Sequence, residues 1–200
     1  SALSPDRRWL LLVTSPKGSE AGRAGKMPKY VTESGYEEVE DTRTRVGRNL
    51  PVGQALKLVD LASGKVTELA LDALPGISTD PLAAMRAAQK LDPLKGKRGV
   101  RMDGDGSGPA IRWTHDGRQA AVMLRAIDNK DRWLATVDVG TARLVPVQRL
   151  TDAAWINWNF NDFGWRPDNT LWYLSEHEGY SHLYTVAGGK ATAWTRGNWE

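Results

Sequence analysis

Residues 165–186 read WRPDNTLWYLSEHEGYSHLYTV, and the second half of this segment comes close to a zinc-binding motif. The metalloprotease motif H-E-x-x-H places two histidines on one face of a helix. His177 and His182 are five residues apart, which would put them about 140° apart around a helix. Gly179 would also weaken such a helix. The segment therefore does not predict a zinc site.

The same segment predicts a β-hairpin instead, because its flanks are rich in aromatic and β-branched residues. We expect one strand over residues 171–175, a turn in which Gly179 has positive φ, and a second strand over residues 182–186. In this hairpin His182 anchors the start of the second strand by hydrogen bonding. His177 lies on the turn.

A turn followed by a strand occurs three times in the chain. The copies are SPDRRWLLLV from Ser4, WTHDGRQAAVML from Trp113 and WRPDNTLWYL from Trp165. In each copy an aspartate follows Pro or His and precedes Gly, Asn or another polar residue. This is turn chemistry, because Asp caps the turn and Gly or Asn accepts positive φ. The short, bounded apolar run after each turn is typical of a buried strand.

A strand, a small turn containing glycine and a returning strand follow each copy. The three segments are LKLVDLASGKVTEL (56–69), WLATVDVGTARLVPV (133–147) and HLYTVAGGKATAWT (182–195). Trp113 and Trp165 are about 52 residues apart, and this pattern at a period near 50 residues indicates a four-stranded propeller blade. The predicted fold class is all-β: a partial β-propeller of four-stranded antiparallel blades, with one short inserted helix near residues 80–91.

We assign the blades to residues 1–69, 113–151 and 152–200 of a single partial propeller domain. The first blade carries an insertion near residues 14–48, and a connecting segment with the helix occupies residues 70–112. Three blades are fewer than the four to eight that close a ring. We therefore expect the chain to be a fragment of a longer polypeptide.

The connecting segment contains STDPLAAMRAAQKL over residues 78–91. Thr79 or Asp80 can cap a helix, Pro81 suits its first turn, and apolar residues follow at helical spacing. We expect one short amphipathic helix that lies over the sheets.

The composition argues against several classes of protein. The chain has 200 residues, of which 40% are hydrophobic and 26% charged; its apolar runs are far too short for a membrane span, and none is expected. A net charge of +3, with acids and bases interleaved, does not favour nucleic acid as a partner. The absence of cysteine excludes disulfides and fits either a cytosolic or an exported protein. We favour a periplasmic or secreted location.

The sequence contains no complete catalytic or metal-binding motif. DGDGSG, over residues 103–108, matches the first half of a calcium loop, but Thr114 occupies the position that needs a glutamate. No serine has the G-x-S-x-G spacing, and no G-x-x-x-x-G-K loop occurs. We therefore expect a surface loop at residues 103–108, no catalytic residue, no metal and no cofactor.

A cluster of carboxylates lies in YEEVED, over residues 36–41. Its members are Glu37, Glu38, Glu40 and Asp41. Carboxylates this close repel one another unless a cation neutralises them, so the cluster can bind an ammonium group. The alternative is a solvated loop whose partners are the nearby Arg43, Arg45 and Arg48. Considered without other information, these residues favour the solvated loop.

The last part of the chain carries a family resemblance. The segment over residues 165–186 and the later AWTRGNWE are similar to propeller blades of the prolyl oligopeptidase family of serine peptidases, and most closely to its dipeptidyl peptidase IV-like branch. The matching residues are Trp165, Pro167, Asp168, Ser175, Glu176, Gly179, Tyr180, His182, Leu183, Tyr184, Thr195, Gly197, Trp199 and Glu200. Asn169 replaces the usual glycine, and His177 and Glu178 replace the usual basic-acidic pair.

The resemblance implies a non-catalytic propeller that caps a C-terminal α/β-hydrolase domain, which carries the catalytic triad and is absent from this chain. The propeller would gate access and position a peptide substrate, so its partners are that peptide and the hydrolase domain. Tyr36, Glu37 and Glu38 are similar to the Y-E-E-type motif with which dipeptidyl peptidases of the family hold the substrate's free amino terminus. The residues around this motif match poorly. Glu37 and Glu38 are the candidate substrate-binding residues.

Two other functions stay open. A stand-alone binding propeller would act as a protein-interaction platform, and a zinc or calcium hydrolase is a third reading. A following domain with G-x-S-x-G in the same reading frame would separate the peptidase from the platform.

Overall fold

The structure is a computed structural model that describes residues 1–19, 21–42, 48–104, 109–157 and 159–199. Nearly all regular structure in these residues is β, as the sequence predicts. The chain forms two compact units. Residues 1–14 and 53–200 make up the first unit, and residues 15–52 make up the second.

The described residues contain fifteen strands and one helix. In chain order they are β1 (Ala2–Leu3), β2 (Trp9–Thr14), β3 (Gly25–Lys29), β4 (Glu38–Thr42), β5 (Ala55–Asp60), β6 (Val66–Glu68), α1 (Ala83–Ala88), β7 (Val100–Met102), β8 (Ile111–Trp113), β9 (Gln119–Ala126), β10 (Asp131–Asp138), β11 (Arg143–Thr151), β12 (Phe163–Trp165), β13 (Leu171–Ser175), β14 (His182–Ala187) and β15 (Lys190–Ala193). Three antiparallel sheets lie in the first unit, and the β3–β4 hairpin lies in the second.

Two of the sheets have four strands in the simple order of a propeller blade. The first is β1-β2-β5-β6 and the third is β12-β13-β14-β15, with every neighbouring pair antiparallel. Both follow the predicted succession of turn, strand and hairpin. Gly179, in the turn between β13 and β14, has a φ of +95°, as predicted.

The second sheet has the order β11-β10-β9, and both β7 and β8 pair with the free side of β9. Two short segments thus share the position of one edge strand. Residues 105–108, between β7 and β8, lie outside the described part of the chain. β7 and most of β8 fall within residues 70–112, the segment assigned to a connection, because three-residue strands show no periodicity that a sequence can reveal.

The helix forms where it is predicted, but its N-terminus and packing differ. The N-cap position is Leu82, rather than Thr79 or Asp80, and no residue of α1 is buried. The Asp80 carboxylate accepts a hydrogen bond from the Leu82 N–H at 2.9 Å, so it stabilises the turn before the helix. The predicted amphipathic helix does not bury an apolar face, since the alanine-rich segment offers little apolar surface and Met85 is 62% exposed.

The turn that opens each blade has the same hydrogen bond three times. An aspartate in each turn accepts a hydrogen bond, at 3.0 or 3.1 Å, from the backbone N–H two residues later. The aspartates are Asp6, Asp116 and Asp168. The residue after each one has positive φ, and these residues are Arg7, Gly117 and Asn169. Gly and Asn accept this conformation readily, whereas an arginine adopts it at a cost of about 1–2 kcal/mol.

The repeated tryptophans connect consecutive blades. Trp113 Nε1 donates to the carbonyl oxygen of Ala2 at 3.3 Å, and Trp165 Nε1 donates to that of Arg112 at 2.9 Å. Each tryptophan therefore reaches the first strand of the blade before its own. As a result β8 lies beside both β1 and β12, which is the radial order of propeller blades.

Alternate residues of β9 enter two different cores. Val122 and Leu124 pack in a core shared with the first blade, whereas Met123 packs in a core shared with the third blade. Side chains alternate across a strand, so a strand with a blade on each side must be apolar at every position. This explains the unbroken apolar run AAVML in the sequence.

Candidate functional site

The predicted carboxylate cluster lies on the β3–β4 hairpin of the second unit. In its register, Lys26 is opposite Asp41 and Lys29 is opposite Glu38. Lys26 forms an ion pair with Asp41, and Lys29 forms one with Glu40. Both pairs are exposed, so each contributes less than about 1 kcal/mol. Two of the four carboxylates are thus neutralised by lysines of the same hairpin.

Glu37 and Glu38 lie where the loop of the hairpin enters β4, and both side chains are exposed. Within the described ranges, no basic side chain forms an ion pair with either of them. The Ser34 hydroxyl donates to Glu38 Oε1 at 3.0 Å, and the Thr32 hydroxyl donates to the Tyr36 carbonyl oxygen at 2.6 Å. The loop therefore orders the backbone beside two carboxylates that are open to a cation.

Lysines, which the sequence analysis did not consider, pair with two of the clustered carboxylates. Arg43 and Arg45 lie outside the described residues. Lys26 is 15 residues before its partner Asp41, and only the register of the hairpin brings the two together. These lysine contacts could have been found by pairing the lysines of KMPK (26–29) with the acids of EVED (38–41) as two strands of an antiparallel hairpin.

The two histidines of the third blade have separate structural roles. His182 is buried, with Nε2 2.9 Å from the carbonyl oxygen of Gly197 and Nδ1 3.3 Å from the Thr195 hydroxyl. It anchors the start of β14, as predicted. His177 lies in the turn, and its ring packs against the ring of Tyr184 with centroids 4.9 Å apart. The rings have different neighbours, so they do not form a metal site together.

The calcium-like loop can be followed only at its start, because residues 105–108 lie outside the described part of the chain. Asp103 is buried, with Oδ2 2.5 Å from Arg132 Nε and Oδ1 3.6 Å from Arg125 Nε. Two arginines therefore neutralise this carboxylate. Among the described residues, no three histidine, aspartate or glutamate side chains are grouped so that they could hold a metal ion.

A network of charges around the buried Arg98 and Asp131 lies in the second blade. Arg98, from the segment before β7, pairs with Asp128 at 2.6 Å and with Asp131, and Arg149 pairs with Asp131 at 2.6 Å. Burial raises the pKa of Asp128, but the hydrogen bond and charge of Arg98 outweigh burial and hold that pKa below its ordinary value. These groups are fully occupied by one another, so the network serves the structure.

A cavity of about 600 Å³ opens beside the first strands of the second and third blades. Three tryptophans, Trp113, Trp165 and Trp172, contribute to its wall, together with Arg112 and Arg166. The wall combines large aromatic faces with positive charge. The sequence analysis found the repeated tryptophans but not the cavity, because their convergence depends on the packing of two blades.

The three sheets, the shared turn and the tryptophan contacts define the first unit as consecutive blades of a β-propeller. The sequence model described as the dipeptidyl peptidase IV (DPP IV) N-terminal region matches residues 101–200. The chain belongs to this family, as its resemblance to the prolyl oligopeptidase family predicted.

One solved structure supports the same fold. The crystal structure of Porphyromonas gingivalis dipeptidyl peptidase 4 is similar over 99% of this chain and 24% of that chain, with a TM-score of 0.62 and 16% sequence identity. This chain therefore spans only a minor part of that enzyme. A structure from work on two prolyl endopeptidases is similar over 73% of this chain and 20% of that chain, at 15% identity and with a TM-score of 0.38.

No curated protein sequence matches this chain significantly. In the described residues, no helix has the length and apolar character needed to cross a membrane.

Proposed function

We propose that this chain is the non-catalytic propeller portion of a serine peptidase of the dipeptidyl peptidase IV or prolyl oligopeptidase type. In this role it gates access and positions a peptide substrate for a C-terminal α/β-hydrolase domain. Membership of the family supports this assignment. Its partners would be the peptide and that hydrolase domain, and the triad chemistry would take place in the latter.

The observation that carries the positioning role is the difference among the carboxylates of the β3–β4 hairpin. Glu40 and Asp41 are paired with lysines of the hairpin, whereas Glu37 and Glu38 are exposed beside an ordered loop. Two adjacent carboxylates can accept hydrogen bonds from an ammonium group, and each such charge-assisted bond is stronger than a neutral one. The free amino terminus of a peptide supplies an ammonium group of this kind.

Holding the amino terminus would select substrates by charge. An acetylated peptide has neither the positive charge nor the three N–H donors, so it cannot compensate the repulsion between Glu37 and Glu38. The same anchor would fix the position of the cleaved bond relative to the amino terminus, since each residue of an extended peptide spans at most about 3.3–3.6 Å.

The test is kinetic and uses the full-length protein. The double substitution Glu37→Gln and Glu38→Gln should raise KM for peptides with a free amino terminus by about tenfold or more, because at least one charge-assisted hydrogen bond is lost. KM for acetylated peptides should not change. The matched control is Glu33→Gln, which removes an exposed charge from the same hairpin loop.

If the double variant had an unchanged KM for peptides with a free amino terminus, the proposal that Glu37 and Glu38 hold that terminus would be contradicted. A full-length protein without any peptidase activity would remove the wider proposal and favour a stand-alone binding propeller.

A further inference from the structure

A second cavity, of about 550 Å³, lies between β11 of the second blade and β13–β15 of the third. We call it the interblade cleft. Its lining includes Gln148 and Arg149 from β11, Tyr184 from β14 and Thr192 from β15. Gln148 Nε2 donates to the Ser175 hydroxyl at 3.0 Å, so a direct hydrogen bond joins the two blades at the wall of the cleft.

The cleft contains a buried polar group that its surroundings leave unused. Tyr184 is only 4% exposed, and its hydroxyl is buried with no hydrogen-bond partner in the described part of the chain. Buried hydroxyl groups are normally hydrogen-bonded, so an exception needs an explanation. Since Tyr184 lines the interblade cleft, a ligand in the cleft can provide the missing partner.

The ring of Tyr184 contacts two neighbouring rings, those of Tyr173 and His177. It stacks on Tyr173 with centroids 5.3 Å apart and an interplanar angle of 16°, and it packs against His177 at 4.9 Å. Burial and the charge of Glu178 raise the pKa of Tyr184, and the nearby Arg196 opposes this shift. The hydroxyl therefore stays protonated at neutral pH and is a hydrogen-bond donor with a fixed position.

The charges around the cleft favour an anion. Lys190 and Arg196 line it, are exposed, and have no acidic partner among the described residues. Arg149 is already paired with Asp131. The one acidic group of the lining, Glu178, is 3.6 Å from His177 Nε2. Two cations thus line the same cleft as the Tyr184 hydroxyl, and Val147 of β11 adds an apolar side chain to its wall.

We propose that the interblade cleft binds an organic carboxylate. The Tyr184 hydroxyl donates to the carboxylate, Arg196 supplies the opposite charge, and the apolar body of the ligand lies against Val147 of β11. This site does not depend on Glu37 or Glu38, so it can be tested whatever the outcome for the amino-terminal anchor.

The test is isothermal titration calorimetry of the full-length protein with N-acetylphenylalanine. The wild-type protein should bind this acid saturably, and it should not bind N-acetylphenylalaninamide, which lacks the carboxylate. Tyr184→Phe removes only the hydroxyl and should raise the Kd about tenfold or more. Arg196→Gln should raise the Kd by a smaller factor. The matched control is Tyr180→Phe, whose exposed hydroxyl does not line the cleft, and its Kd should equal that of the wild type.

Folding is checked by the thermal midpoint, which Tyr184→Phe should leave unchanged or raise because an unpaired buried hydroxyl is removed. Three results would overturn the proposal. One is wild-type affinity in Tyr184→Phe, and another is equal affinity for the acid and the amide. The third is competition by inorganic phosphate at equal concentration, which would identify a general anion site rather than one for organic carboxylates.

Discussion

The second blade and the β3–β4 hairpin both contain paired charges, but in opposite environments. The side chains of Arg98 and Asp131 in the blade are 2% and 1% exposed, whereas those of Lys26 and Asp41 on the hairpin are 67% and 63% exposed. A buried pair cannot give up a partner without a large penalty. An exposed carboxylate exchanges partners at little cost. The blade charges therefore maintain structure, and the hairpin carboxylates are suited to binding.

The largest expected effect is the loss of a buried carboxylate. Asp131→Ala should lower the free energy of unfolding by about 3–5 kcal/mol, because Arg98 and Arg149 each lose a partner. Glu38→Ala, the matched change on the hairpin, should alter it by less than about 0.5 kcal/mol. Urea unfolding followed by tryptophan fluorescence measures both. Equal effects would show that the two regions do not differ as described.

Two methionines sharpen the same comparison for apolar packing. Met123 of β9 is 1% exposed and Met27 of β3 is 48% exposed. Met123→Ala leaves a cavity between the second and third blades and should lower the free energy of unfolding by about 2–5 kcal/mol. Met27→Ala should change it by less than about 0.5 kcal/mol. If the two variants had the same urea midpoint, β9 could not be packed on both faces.

The smallest expected effect concerns pH and the turns that open the blades. A hydrogen bond from the Thr114 hydroxyl, and then one from the Arg118 N–H, hold the pKa of Asp116 below its ordinary value of 3.8. The pKa of Asp6 is lowered in the same way, first by the Ser4 hydroxyl. A lowered folded-state pKa contributes stability above the unfolded pKa, and this stability is lost as pH falls through the folded value.

The free energy of unfolding should therefore decrease as the pH falls below about 4. Asp116→Asn should make this decrease less steep, since its amide does not titrate. The measurement is a series of urea titrations between neutral and acidic pH. If the free energy of unfolding of the variant had the same pH dependence as that of the wild type, the pKa of Asp116 would be the same in the folded and unfolded chains.

Local patterns were enough to predict much of the fold. The turn aspartates and the hairpin over residues 171–186 depend on residues close in sequence, whose chemistry restricts the backbone directly. The apolar run of β9 already indicated a buried strand, and the structure shows that it is buried on both faces.

Contacts between distant segments could not be predicted. The pairing of Arg98 with Asp131 depends on how the segment before β7 packs against the second blade. The residues next to Arg98 or Asp131 in the sequence do not indicate this contact. The lysine partners of Glu40 and Asp41 depend on the register of an exposed hairpin, which lacks the apolar alternation that reveals strands. Both cavities likewise form only when the blades pack together.

The amino-terminal anchor is the central functional claim, and the most direct measurement is a ratio of rates on the unmodified full-length protein. The values of kcat/KM are compared for one peptide with a free amino terminus and for the same peptide acetylated. We predict a preference of about tenfold or more for the free peptide, since the ammonium group pairs with Glu37 and Glu38. Equal values for the two peptides would contradict the account.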